Sequence, residues 1–265
     1  MAQCNRGISS KREQGGSGVR TVAERIRALA ERVGHTADAW LFPRDVACLC
    51  CDRALSEEAR DGLCPSCKAA LDEAFARMQE REEPSQPLPP GLDYVHAAFP
   101  YDAQARRLIT QLKFQSLRPA AVPLARAMSM MAAGGEDVIV PVPTTKRRLR
   151  ERGFNQAALL AQWLGQQWKM PVCEALERSD THAAQVTLSA RQRRRNLVGC
   201  MRAVKDVAGK RVLLVDDVYT TGSTAQEAVR ALLEGGAAGV GMMVAARTLT
   251  VEEEKLNDLF TPRRK

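Results

Sequence analysis

A short apolar run that ends in two adjacent carboxylates constrains this chain more than any other feature. Residues 212–215 are Val-Leu-Leu-Val, which has the length and β-branched content of a buried parallel strand. Asp216 and Asp217 follow directly, and residues 225–233 then predict a helix that ends at a pair of glycines. This order of strand, acidic pair, loop and helix predicts an α/β domain.

The loop between this strand and this helix predicts a phosphate site. At a helix start, free backbone N–H groups and the positive end of the helix dipole point at one place, and hydroxyl groups add donors. No Gly-Lys-Ser/Thr follows, which excludes a Walker loop. The residues that would hold the phosphate are Thr220, Thr221, Gly222, Ser223 and Thr224. Asp216 and Asp217 can accept hydrogen bonds from vicinal sugar hydroxyls, so the segment predicts a ribose 5-phosphate site; the alternative is a plain strand-to-helix crossover with an acidic turn.

Two Cys-x-x-Cys pairs predict a metal site nearer the N-terminus. Cys48 and Cys51 form one pair and Cys64 and Cys67 the other, with twelve residues between the pairs. Four thiolates at this spacing suit a tetrahedral zinc that has no open position and is therefore structural. The metal would supply folding energy that so short a segment lacks. Redox or iron–sulfur chemistry is the alternative, and Cys50 could replace Cys51 as a ligand.

Two other segments concentrate positive charge. A strand predicted at 138–141 leads into residues 146–152, which contain five basic residues and one acid. Loops that follow neighbouring strands of a doubly wound sheet meet at one crevice, so this charge could hold a pyrophosphate. The alternative is a solvated basic helix face. Residues 178–200 have no clear period and place four arginines within 191–195, and a loop of this length is usually functional.

Length and composition bound the domain organisation. The 265 residues allow one α/β domain and a smaller module, and the net charge of +8 suits anionic ligands. Without an 18-residue apolar run or a secretory signal, we expect a cytoplasmic protein without membrane insertion, whose eight cysteines serve as metal ligands or free thiols. The predicted segments are a basic extension with an amphipathic helix (1–39), a zinc-binding module (40–81), a Pro-rich linker (82–91), the main domain (92–250) and a charged tail (251–265).

The stretch VLLVDDVYTTGST resembles the ribose-phosphate signature of the type I phosphoribosyltransferases. Over residues 40–248 the chain resembles the ComF family of competence-associated, phosphoribosyltransferase-like proteins. The matching motifs are Phe42-Pro43, the two cysteine pairs, Leu112-Lys113-Phe114, residues 141–157, the 178–196 loop and the stretch quoted above. One departure, the run Cys48-Leu-Cys50-Cys51, leaves open which thiols bind the metal.

The resemblance implies a type I phosphoribosyltransferase fold, which is α/β with a doubly wound, mainly parallel sheet, here joined to a four-cysteine zinc module. It implies binding of phosphoribosyl pyrophosphate (PRPP), with Mg²⁺ bridging its oxygens and the catalytic Asp216 and Asp217 holding the ribose hydroxyls. The implied pyrophosphate loop includes Thr144, Thr145, Lys146, Arg147, Arg150 and Arg152. The implied mobile loop over the site includes Arg178, Gln185, Arg191, Arg195 and Asn196.

Two functions fit these expectations. The first is a phosphoribosyltransferase that displaces pyrophosphate from ribose C1 in favour of an unidentified acceptor, with Glu151 and His182 as weak candidates for the general base. The second is a non-catalytic PRPP-binding module of the DNA-uptake machinery that contacts single-stranded DNA or a helicase. No aromatic residue interleaves with the arginines of 191–195, so base stacking has little support there, which favours the first function.

Overall fold

A four-stranded parallel sheet, in the order β1-β6-β5-β2, lies at the centre of the computed structural model, which describes residues 47–56, 59–81, 87–114, 117–131, 134–179 and 199–249. All of these belong to one of the chain's two structural units, Asp45–Lys265. The strands are β1 (Tyr94–Pro100), β2 (Val138–Pro141), β3 (Leu176–Arg178), β4 (Met201–Ala203), β5 (Arg211–Tyr219) and β6 (Gly239–Arg247). The helices are α1 (Pro65–Gln79), α2 (Ala103–Phe114), α3 (Ala121–Ser129), α4 (Lys146–Arg152), α5 (Gln156–Trp168) and α6 (Ser223–Glu234).

Side chains of β5 alternate between two cores, one on each face of the sheet. Leu213 and Val215 pack in one core with α2, α3 and α5. Val212 and Leu214 pack in the other with α6 and with the antiparallel β3–β4 pair. Both faces are therefore covered, as a parallel sheet requires, and the predicted doubly wound, mainly parallel sheet is confirmed.

The register of the sheet positions the ends of its strands. Pro141 of β2 lies opposite Val215 of β5, and the Val142 amide donates to the Val215 carbonyl at 2.9 Å. The segment after β2 therefore starts level with Asp216. Since the strands are parallel, the turns after β2 and β5 leave the sheet at the same edge.

Several elements differ from their predictions. The strand predicted at 212–215 extends to Tyr219, so the acidic pair lies within β5. The basic segment 146–152, expected as a loop with a basic helix face as the alternative, forms the helix α4. A short 3-10 turn (Arg118–Ala120) precedes α3, and β3 was not predicted from the sequence. Short elements are decided by capping and by neighbouring strands more than by their own periodicity.

The cysteine-containing segment packs against α2. Its buried residues Cys48 and Leu63 belong to the same core as Leu108 of α2. Arg107 of α2 forms an ion pair with Asp52. The apolar contact and the ion pair join residues 47–64 to the sheet through one helix.

Some expectations fall outside the described residues. They are the N-terminal extension with its helix, half of the linker (82–86) and the tail after residue 249. Within the described ranges, no helix has both the length and the apolarity needed to cross a membrane.

Candidate functional site

A polar cleft of about 270 Å³ lies at the edge of the sheet where β2 and β5 end. Its lining residues come from the segments after β1 and β2, the end of α2, the α4–α5 region, the end of β3, and β5 with the turn into α6. The sequence-predicted residues that line it are Thr144, Arg152, Arg178, Asp216, Asp217, Thr220 and Thr224. The cleft therefore joins the acidic pair to both basic segments.

The two adjacent carboxylates have different surroundings because successive side chains of a strand point to opposite faces. Asp217 is buried, and its Oδ1 lies 2.8 Å from Nζ of Lys113 at the end of α2. Asp216 is partly buried, and its Oδ1 accepts from the Asp217 amide at 2.8 Å. One carboxylate thus has a lysine partner, and the other bonds to the backbone.

This difference changes the proton affinity of Asp216. Desolvation raises the pKa of its carboxyl to about 7, and the nearby negative charge of Asp217 adds to the increase. Lys113 and Arg178 act in the opposite direction but do not reverse it. Burial and the charge of Asp217 therefore favour the neutral form of Asp216 more than in a solvent-exposed carboxyl.

The β5–α6 turn depends on Gly222. This residue has φ of 72°, in the left-handed region that favours glycine, and it caps the first turn of α6. A Cβ there would lie 2.5 Å from Oη of Tyr219, so any larger residue would also have to displace the end of that side chain. No side chain caps the start of α6. Of the five predicted phosphate residues, Thr220 and Thr224 line the cleft.

Helix α4 divides the basic segment into two faces. Thr145 begins the helix by accepting from the Arg148 amide at 3.2 Å, and Gly153, at φ 76°, ends it. Arg148 and Arg152, four residues apart and so on one face, line the cleft. The predicted pyrophosphate residues Lys146, Arg147 and Arg150 are not among the residues that line it.

Arg147 and Glu151 form a surface ion pair away from the cleft, with Nε and Oε1 3.0 Å apart. Glu151, a candidate general base in the sequence, does not line the cleft. Lys146 Nζ lies 3.8 Å from the carboxylate of Glu177. These contacts leave α4 with a paired outer face and a basic inner face.

Nine lining residues were not in the predicted site, and among them are Lys113, Arg148, Asn155 and Gln156. Lys113 is far from the acidic pair in sequence, and its signal is its place in the Leu-Lys-Phe motif. Arg148 would have been found by helical spacing from Arg152 if α4 had been predicted as a helix. Asn155 and Gln156 follow the basic segment in Arg-Gly-Phe-Asn-Gln, and their uncharged amides add nothing to its charge pattern.

Of the site residues predicted in the arginine-rich loop 178–196, only Arg178 lies within the described residues. Arg178 ends β3 and lines the cleft beside Asp216. The other predicted loop residues, Gln185, Arg191, Arg195 and Asn196, lie outside the described residues, as does His182. The β3–β4 pair therefore brings the start of this loop to the cleft, with its return at Met201.

The four predicted metal-binding cysteines lie together. The Sγ atoms of Cys48, Cys51, Cys64 and Cys67 are all within 4.8 Å of one another, and the Cys51 and Cys64 sulfurs are 3.7 Å apart. A tetrahedron of sulfurs at about 2.3 Å from zinc has edges of about 3.8 Å. The amides of Cys50 and Cys64 donate to the Cys48 sulfur at 3.4 and 3.3 Å.

Cys50 does not belong to this cluster. It is buried, and its sulfur contacts the carbonyl of Gln104 in α2 at 3.9 Å. Burial raises the pKa of its thiol to about 12, so the thiol stays protonated. Cys50 therefore packs against α2, and the four-sulfur set has the composition that the Cys-x-x-Cys spacing predicts.

Comparisons with known proteins agree with this geometry. Residues 124–262 match the phosphoribosyl transferase domain family. The chain is 36% identical over 217 residues to the DNA utilization protein YhgH of Escherichia coli K12, covering 76% of this chain and 90% of that one. It is 37% identical over 103 residues to the competence protein ComFC of Bacillus subtilis 168, covering 38% and 40%. It is also 36% identical over 115 residues to the competence protein F of Haemophilus influenzae Rd, covering 42% and 50%.

Proposed function

We propose that this chain, which belongs to the ComF family of phosphoribosyltransferase-like proteins, binds PRPP in the polar cleft and transfers its phosphoribosyl group to an acceptor. One observation carries the proposal. A single cleft contains an acidic pair, a helix start and a cluster of cationic side chains, and these match the ribose hydroxyls, the 5-phosphate and the pyrophosphate of one molecule. The acceptor is left unassigned.

The 5-phosphate belongs at the start of α6. The first N–H groups of a helix have no acceptor within the helix and bear its positive end. Gly222 lets the chain turn tightly into this helix, and Thr220 and Thr224 line the cleft. Thr221 and Ser223 bond to each other through their oxygens at 2.9 Å, so they stiffen the turn.

The ribose belongs between the two turns, against the acidic pair. Carboxylate oxygens accept hydrogen bonds from both vicinal hydroxyls. They are also the hard oxygen donors that Mg²⁺ prefers, and Asp216 fits this role better because Asp217 is engaged by Lys113. When bound, Mg²⁺ would neutralise charge on the pyrophosphate and orient it.

The pyrophosphate belongs beside α4. Arg148 and Arg152 line this side of the cleft, with Lys113 and Arg178 nearby, which gives four cationic side chains against two carboxylates. During transfer the bond from C1 to the pyrophosphate oxygen breaks, and the pyrophosphate leaves with the electron pair while C1 gains the acceptor. The arginines stabilise the negative charge that develops on the leaving group.

Calorimetry with PRPP, ribose 5-phosphate and pyrophosphate, with and without Mg²⁺, tests the binding proposal. We expect PRPP to bind more tightly than either fragment, because it occupies all three regions at once. Incubation with PRPP, Mg²⁺ and a metabolite library, followed by an assay of released pyrophosphate, tests transfer. If PRPP binds but no acceptor causes pyrophosphate to be released, the result would favour a PRPP-binding module without catalytic turnover.

A second candidate function, binding of single-stranded DNA for a DNA-uptake system, is favoured by one aromatic side chain. Phe114 follows Lys113, is 73% exposed, and has the Arg152 guanidinium 5.4 Å from its ring centre. An exposed ring among cations is a platform on which a base can stack. Phe114→Ala should weaken binding of a labelled oligothymidylate and leave PRPP binding within about twofold, whereas equal oligonucleotide affinity would count against this function.

We also propose that the four cysteines hold one structural zinc. Cys64→Ser should remove the metal, measured by elemental analysis, and destabilise residues 47–67 while the sheet stays folded. Cys50→Ser is the control, since Cys50 lies outside the four-sulfur set, and it should retain one zinc per chain. Absence of zinc from the parent protein, or its loss on Cys50→Ser alone, would contradict this assignment.

A further inference from the structure

One side-chain amide in the cleft has a role that the proposed contacts do not assign. Gln156, the first residue of α5, is only 3% exposed and lines the cleft. Its Oε1 accepts from Nη1 of Arg152 at 3.2 Å. Its Nε2 is buried and has no hydrogen-bond partner among the described residues.

The orientation of this amide follows from its neighbour. The guanidinium of Arg152 has only donors, so the amide group must turn its oxygen towards Arg152. Its NH₂ group is then left for a different partner. Buried donors in native proteins are almost always paired, and an unpaired one calls for an acceptor that the chain itself does not supply.

The start of α5 is prepared for a negatively charged acceptor. Asn155 caps the helix by accepting from the Ala157 amide at 3.2 Å, and its Nδ2 donates to the Val142 carbonyl at 3.0 Å. Both ends of the Asn155 amide are thereby occupied, and the helix start contributes its positive end. Arg148, which also lines this side of the cleft, can only donate. An occupant must therefore present several acceptor oxygens.

We propose that Gln156 is a specificity-determining residue whose Nε2 donates to an anionic oxygen of a pyrophosphate group held at the start of α5. The assignment of that group to PRPP rests on the proposed function, and free pyrophosphate has the same chemistry. Arg152 positions the amide, so the two side chains act as a pair. The donor-only array selects a group with acceptor oxygens and disfavours one that presents N–H groups.

Gln156→Glu tests this role with little change of shape. The carboxylate still accepts from Arg152, so the local packing is kept, but the donor is lost and a negative charge faces the anion. Gln166→Glu makes the same change on an exposed residue of the same helix and serves as the control. Gln156→Met removes the donor without adding charge. It keeps the test available if Gln156→Glu fails to fold.

We expect Gln156→Glu to weaken pyrophosphate and PRPP at least tenfold by calorimetry and Gln156→Met to weaken them less. Binding of ribose 5-phosphate should change less than twofold in both, and Gln166→Glu should match the parent. Pyrophosphate binding by Gln156→Glu equal to that of the parent would overturn the inference and leave the PRPP proposal intact. Equal losses for all three ligands would also overturn it, because they would indicate a structural role.

The same titrations separate this inference from the proposed function. If the parent binds pyrophosphate, and Gln156→Glu loses it, but PRPP binds no better than pyrophosphate, the role of Gln156 stands and the proposed function fails. If the parent binds neither ligand, both are wrong.

Discussion

The turns after β2 and β5 leave the sheet at the same edge, side by side, yet they offer different chemical groups to a ligand. The β5–α6 turn offers backbone N–H groups and hydroxyls around one left-handed glycine and contains no charged side chain. The turn after β2 offers the guanidinium groups of a short capped helix and the amides that follow it. A backbone site recognises a group by close approach, whereas long cationic side chains recognise it by charge.

This difference suits the two ends of the proposed ligand. The monophosphate stays attached to the ribose during transfer, so it needs a binding site of fixed geometry, which rigid backbone donors supply. A pyrophosphate that departs needs charge stabilisation that grows as its bond breaks, which flexible arginines supply. The acidic pair lies between the two turns and belongs to neither.

Removing the acidic pair should have the largest effect on PRPP affinity, because the pair lies between the two turns and holds the ribose that joins the two ends of the ligand. Asp216→Asn with Asp217→Asn loses two charge-assisted hydrogen bonds to the ribose, at about 1.5–3 kcal/mol each. We expect PRPP affinity to fall by about two to four decades in calorimetry. Asp72→Asn, in a surface ion pair with Lys68, is the control and should bind like the parent. Unchanged affinity in the double variant would contradict the ribose assignment.

Removing one arginine of α4 should affect the charged turn alone. Arg152→Ala loses one charge-assisted contact, worth about 1.5–3 kcal/mol, so PRPP should bind about tenfold to 150-fold more weakly. Ribose 5-phosphate, which lacks the pyrophosphate, should bind nearly as before. Arg147→Ala on the same helix removes an exposed arginine that pairs with Glu151 and should change neither affinity. Equal losses in the two variants would mean that α4 acts only through its overall charge.

Substituting the glycine should affect the backbone turn alone. Gly153→Ala and Gly222→Ala both place a side chain at positive φ, which costs about 1–2 kcal/mol of stability. A Cβ at Gly153 meets no atom within 4 Å, whereas one at Gly222 meets Tyr219, so Gly222→Ala should lower the melting temperature more. It should also weaken PRPP and ribose 5-phosphate equally. A preferential loss of PRPP would show that the two turns are not independent.

The pH dependence should be the smallest effect. Because the pKa of Asp216 is raised to about 7, protonation below that pH removes an acceptor, and PRPP affinity should fall by up to about tenfold per pH unit below it. The folded state binds this proton more tightly than the unfolded state, so this group's contribution to stability falls as pH rises from about 4 to 7. In Asp216→Asn, the part of the pH dependence of PRPP affinity that this carboxyl causes should disappear. If the variant and the parent show the same pH dependence, the titrating groups are the phosphates of the ligand.

The sequence predicted the backbone turn better than the charged one, for a physical reason. The order of apolar strand, acidic pair and small residues is local, and each part has one conformation that fits it. The charge of residues 146–152 is equally visible but does not say which arginines face inwards, since that depends on Thr145 starting a helix and Gly153 ending it. Lys113 and Gln156 enter the site through tertiary packing, which no local pattern contains. The cysteine spacing predicted its cluster because thiols need only proximity.

Helix α2 contacts the cysteine-containing segment near one end and the acidic pair at the other. Near its start, Gln104 and Arg107 contact Cys50 and Asp52; at its end, Lys113 holds Asp217. Nine residues of helix separate Gln104 from Lys113, about 14 Å along the axis. A stiff rod thus has the four-cysteine segment at one end and the cleft carboxylate Asp217 at the other. If zinc and a sugar phosphate bind as proposed, we expect them to be linked ligands, and any change that one makes in the affinity of the other must be reciprocal.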